Sequence, residues 1–93
     1  MVFVSVSFKI LPEFRAEFIN YVEDKIKLVQ KEEGCVKYIL VEDTFENNSF
    51  IIYQKWINIE SLGAHKAMPY MDEYIAKLQK WGVNSAQFDF FQQ

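Results

Sequence analysis

Ninety-three residues carrying a net charge of −3 suffice for one domain near the small end of the range in which a single core sustains a fold. The acidic balance argues against a nucleic-acid partner, which would need clustered Lys and Arg, whereas the lysines here are spread among acids. Half the residues are apolar and 17% are aromatic, so some aromatic surface is expected to meet a partner subunit or a ligand.

Cys35 stands alone, which leaves no disulfide framework and no metal cluster built on thiolates; it reads as a small buried residue at a strand start. The apolar N-terminus, MVFVSVSFKI, lacks a basic leader and is interrupted by serines and a lysine. It is too short and too alternating for a signal peptide or a membrane span. The expectation is a soluble, cytoplasmic, reduced protein with no membrane partner.

Val2, Val4, Val6 and Phe8 alternate with Phe3, Ser5, Ser7 and Lys9, a period of two that predicts a strand. The alternation alone leaves open which face meets the helices. Pro12 opens a long amphipathic helix with Phe14, Phe18, Val22, Ile26 and Val29 on one stripe, acids near its start, lysines near its end and Gly34 as its stop. Cys35 to Glu42 is a second strand, with Val36, Tyr38 and Leu40 expected on one face. The polar turn Glu46-Asn47-Asn48-Ser49 returns the chain into a third strand, Phe50 to Ile57. Asn58 is placed to cap a short helix in which Leu62 and His65 share a side. Pro69 is expected at the first position of a last helix with Met71, Tyr74, Ile75, Leu78 and Trp81 on its stripe. Gln87 to Phe91 alternates again as a fourth strand.

This order is the ferredoxin-like split βαβ plan, β-α-β-β-α-β, an α+β fold with a four-stranded antiparallel sheet and helices on one face, spanning residues 1–93 as one domain. The strands are apolar on both sides while helices cover only one. A sheet-to-sheet homodimer is the simplest cure for the bare face.

The run Lys31-Glu32-Glu33-Gly34-Cys35, the strand Ile52-Tyr53-Gln54-Lys55-Trp56, and Glu60-Ser61-Leu62-Gly63-Ala64-His65 followed by Pro69 resemble the antibiotic-biosynthesis monooxygenase family. The family patterns are an E-x-G-C turn, a Y-E-x-W strand end and A-H-x-x-x-P-H entering the last helix. The chain departs from the last pattern at Tyr70, where a second histidine is frequent. The haem-degrading branch carries an iron ligand where this chain has Tyr74 or Ile75, and an asparagine where it has Ser7, so haem degradation is not expected.

The resemblance implies oxygenation of a small aromatic, a quinol or polyketide-like phenol, whose own electrons reduce dioxygen, with no cofactor and no metal. In keeping with that, the sequence has no glycine-rich phosphate loop and no Cys/His metal spacing. His65 is the candidate catalytic base, because an imidazole titrates nearest neutrality. Trp56, Tyr53, Phe50, Met68 and Tyr70 are candidate substrate-binding walls, and Tyr38 a candidate phenolic hydrogen-bond partner for a ring oxygen. Each has a plainer reading: His65 as a core or capping group, Trp56 and Tyr53 as core or dimer packing, Met68 and Met71 as core filler, and the Glu42-Asp43 pair as solvated. Two further functions stay open. One is isomerisation of a small phosphorylated or dicarbonyl compound, as in autoinducer-processing relatives, with Lys66 meeting a phosphate. The other is a non-catalytic dimeric stress-response barrel.

Overall fold

The computed structural model describes residues 1–93. Strand β1 (Val2–Lys9) leads through a 3-10 turn, Pro12–Phe14, into helix α1 (Arg15–Val29). Strands β2 (Cys35–Glu42) and β3 (Ser49–Trp56) form a hairpin, followed by α2 (Ile59–Lys66), α3 (Met71–Trp81) and β4 (Gln87–Gln92). The strands pair antiparallel in the order β2-β3-β1-β4. This is the ferredoxin-like α+β plan expected from the sequence.

The open question about β1 has a clear answer. Val2, Val4, Val6 and Phe8 are buried and face the helices, together with Phe50, Ile52, Gln54 and Trp56 of β3. Phe18, Val22 and Val29 of α1 and Tyr74 and Trp81 of α3 close over them. Phe3, Ser5 and Ser7 pair with Lys55, Tyr53 and Ile51 on the opposite, uncovered face.

Three local details differ from the sequence reading. The last helix begins at Met71, so Pro69 lies in the preceding turn rather than at its first position. The helix after Pro12 starts with a 3-10 turn, and α1 proper spans only Arg15–Val29. Val36 does not share a face with Tyr38: a bulge places Cys35 opposite Trp56 and Lys37 opposite Lys55, and the extra residue, Val36, is exposed. Gly34 takes the left-handed conformation (φ 82°), as does Asn48 in the β2–β3 turn (φ 67°). No helix is long and apolar enough to cross a membrane.

Candidate active site

The site is built where α2 and α3 lie over the β2–β3–β1 part of the sheet. Asn58 starts α2 by accepting a hydrogen bond from the Ser61 backbone N–H (2.8 Å), which sets the register that turns Leu62 and His65 inward. His65 is only 3% exposed. Its ring lies 4.8 Å from that of Trp56 at 32° and 5.7 Å, edge-on, from that of Tyr38. Trp56 in turn donates its indole N–H to Gln54 Oε1 (2.9 Å), so the end of β3 holds one side of the imidazole in place.

Glu32 holds the other side. Both of its carboxylate oxygens lie 3.1 Å from His65 Nδ1, and the two side chains are 8% and 3% exposed. The same carboxylate accepts a hydrogen bond from the Tyr70 hydroxyl. A carboxylate accepts here from an Nδ1–H, which orients the ring with Nε2 turned away from Glu32. Burial, helped by the Glu32 contact, pushes the Tyr70 phenol well above its usual range, so it stays protonated as a donor.

A cavity of about 430 Å³ opens beside this pair. His65, Tyr38, Gln54 and Tyr74 contribute its buried polar groups, Val4, Val6, Ile52 and Leu62 much of its apolar wall, and Lys66 and Asp89 its exposed charges. The Tyr38 and Tyr74 hydroxyls lie 3.0 Å apart. Burial raises both phenols, Tyr74 to about 12, so neither serves as a base near neutral pH. No three His, Cys, Asp or Glu side chains converge in a way that would hold a metal ion.

The residues singled out from sequence divide. His65 and Tyr38 line the cavity. Trp56 is fully buried behind His65 and acts on the site through that ring rather than as a wall. Tyr70 is also set back, held by Glu32 at the start of α3, and Met68 lies half-buried in the turn before it. Phe50 packs instead in the core against Phe8 and Phe18. Tyr53 is on the opposite face of the sheet, 38% exposed, beside Phe3 and Phe91. Neither Phe50 nor Tyr53 reaches the cavity. Sequence reasoning missed Glu32, Gln54 and Tyr74. Two of these stood inside the quoted motifs, Glu32 heading the E-x-G-C turn and Gln54 within the strand end.

The fold thus carries a buried carboxylate–imidazole pair beside a largely apolar cavity in a small α+β domain. A profile of the antibiotic biosynthesis monooxygenase family matches residues 1–77, and the chain belongs to that family. It is similar to sll1783, an uncharacterised protein of Synechocystis sp., with 34% identity over 74 residues, which are 80% of this chain and 50% of that protein. The chain thus spans about half the length of that curated relative. Among solved structures it is similar to an antibiotic biosynthesis monooxygenase candidate from Deinococcus radiodurans (TM-score 0.93, 22% identity, 100% of this chain and 92% of that one). It is also similar to a mutant of SnoaB, a cofactor-independent oxygenase from Streptomyces nogalater (TM-score 0.86, 16% identity, 99% and 92% of the chains). At these identities the structural matches establish the fold.

Proposed function

We propose that the protein is a cofactor-independent monooxygenase acting on a small aromatic, a quinol or polyketide-like phenol, and that it works as a homodimer joined through the open sheet faces. One observation carries this reading: His65 is tied to buried Glu32 through Nδ1 and borders an apolar cavity sized for a small ring system. In this scheme Nε2 takes the phenolic proton, and Glu32 steadies the imidazolium that results. The electron-rich substrate anion then reacts with dioxygen. One oxygen atom becomes a ring carbonyl and the other leaves as water with the two hydrogens lost from the substrate.

Oxygen uptake with menadiol or a dihydroxyanthracene, corrected for the non-enzymatic rate, tests it. His65→Ala should lower kcat/KM by about 10²-fold or more. Equal rates in the two proteins would end the reading. Lys66 at the cavity favours a second function, isomerisation of a phosphorylated dicarbonyl compound. That reading predicts turnover of such compounds and its loss in Lys66→Ala. Silence in both assays from an intact dimer would leave a non-catalytic barrel.

A further inference from the structure

The four buried polar side chains of the cavity keep hydrogen-bonding groups that no protein atom meets. Tyr38 Oη and Tyr74 Oη share one hydrogen bond (3.0 Å), which uses one of their two protons. Neither hydroxyl has another protein partner, so the pair keeps one O–H to give. Gln54 is fixed the same way. The indole N–H of Trp56 can only donate, so the amide atom it meets at 2.9 Å is the oxygen, and the NH₂ end points elsewhere.

That NH₂ has no protein acceptor, yet it is not sealed in. The buried side-chain polar atoms left unpaired in this chain are Tyr21 Oη and Trp81 Nε1, and the space Gln54 lines is the cavity. Tyr38 and Gln54 are direct cross-strand partners of β2 and β3, so their side chains stand next to each other on the same face. Burial keeps both phenols protonated at neutral pH. Among the four, His65 Nε2 has no protein partner, and the hydroxyl that donates within the tyrosine pair keeps its lone pairs free.

We propose that the Gln54 amide N–H groups and the spare O–H of the Tyr38–Tyr74 pair form a donor subsite for an oxygen of the substrate, distinct from the oxygen whose proton goes to His65. The cavity therefore selects ring systems bearing two oxygens over those bearing one. This deepens the monooxygenase reading and rests on it for the identity of the ligand as an oxygenated aromatic. The chemistry is complementary. Donors that hold the second oxygen fix the ring in the cavity with the first oxygen turned toward His65, so the proton transfer starts from an oriented substrate. Gln54, Tyr38 and Tyr74 are then specificity-determining residues.

Anaerobic binding of 1,4-dihydroxynaphthalene and of 1-naphthol, followed by quenching of tryptophan fluorescence, reads the subsite without turnover. The wild type should prefer the two-oxygen ligand by about threefold to tenfold. Two variants should bring that ratio close to one. The double variant Tyr38→Phe/Tyr74→Phe removes the spare proton and keeps the rings. Gln54→Glu keeps the acceptor for Trp56 and replaces the donor end with an oxygen. A partly unfolded fraction would weaken both ligands alike and leave the ratio intact, so the ratio is the readout. No preference in the wild type, no binding of either compound, or a ratio unchanged in either variant overturns the proposal. Oxygen uptake on the same proteins separates the two ideas. A lost preference without wild-type turnover would sink the monooxygenase and keep the subsite, whereas normal turnover with the ratio unchanged would do the reverse.

Discussion

At the scale of single residues, Glu32 shapes the site more than its position in a surface-like acidic run would indicate. It accepts from both His65 and Tyr70 while almost buried, so removing its charge affects two partners at once. Glu32→Gln keeps the volume but loses the anion that balances an imidazolium. It should lower kcat/KM for the quinol by about 10²-fold while the protein still folds. Steady-state oxygen uptake beside a thermal melt checks both halves. Glu32→Ala goes further, leaving His65 Nδ1 and the Tyr70 hydroxyl without their partner, and should cost about 1–3 kcal/mol in urea denaturation. Sequence could not find this pairing by spacing, because 33 residues separate Glu32 from His65 and only the fold brings them together. The opposite failure, at Tyr53, was avoidable. Residues three apart on a strand point to opposite faces, so Tyr53 and Trp56 never belonged to one wall. Phe50 shares the face of Trp56 but stands six residues, or about 20 Å, along the strand from it.

Among elements, the joints were more legible than the faces. The Asn58 cap and the change from a period of two to a helical period follow from local chemistry, and the structure places them as read. Helix α1, however, ends at Val29 with Gln30 as its C-cap, so the left-handed Gly34 is not the helix stop but the turn that leads into β2. The β2 bulge follows from pairing with β3, a non-local fact, and it turned Val36 outward. Gly34 also has a role the sequence did not disclose. A Cβ there would come within 2.0 Å of Ser61 Oγ and 2.4 Å of Ser61 Cβ, because the α1–β2 turn packs directly on the start of α2. Gly34→Ala should therefore lose at least about 1–3 kcal/mol from backbone strain alone, measurable as a drop in urea midpoint. At the other end of the sheet, Arg15 donates to both Glu42 oxygens (2.5 and 2.7 Å) and Asn48 N–H to one (2.8 Å). The Arg15 hydrogen bonds are the main reason the Glu42 carboxyl falls to about 2 from the usual 4.5. Because the folded value lies below the unfolded one, the stabilisation is full above pH about 4.5 and fades as pH falls toward about 2. The Tm difference between wild type and Glu42→Gln should shrink over that window and stay flat above it. A constant difference through pH 3 would mean that the clamp holds nothing through its charge.

For the whole molecule, the fold plan was legible because helices on one face follow from the order of elements, and so was the need for a cover on the other. The structure adds where that need is sharpest. All six residues of β4 are exposed; Phe91 (55%) lies on the uncovered face, whereas Phe88 and Phe90, opposite Val6 and Val4, lie on the cavity side. Its one sheet neighbour is β1, and Phe91 stacks on Phe3 across the uncovered face (4.9 Å, 14°). Tyr53 and Val41 extend the apolar area toward β2, and Lys55 sits over the Phe3 ring with its stem along the same surface. A strand with so little burial of its own contributes little to a monomer, and a self-complementary face brought against its two-fold mate would cover Phe3, Tyr53 and Phe91 on both copies. The expected native mass by light scattering is that of two chains. Tyr53→Glu, which places two carboxylates near the centre of such a seam, should yield monomers with the helical face unchanged by circular dichroism. The cavity provides the further check. Phe88 and Phe90 line it from β4, so a monomeric variant whose β4 loosens should bind aromatic ligands more weakly although every residue of the Glu32–His65 pair is intact. A wild type that is monomeric at micromolar concentration would instead mean that this face stays open to water.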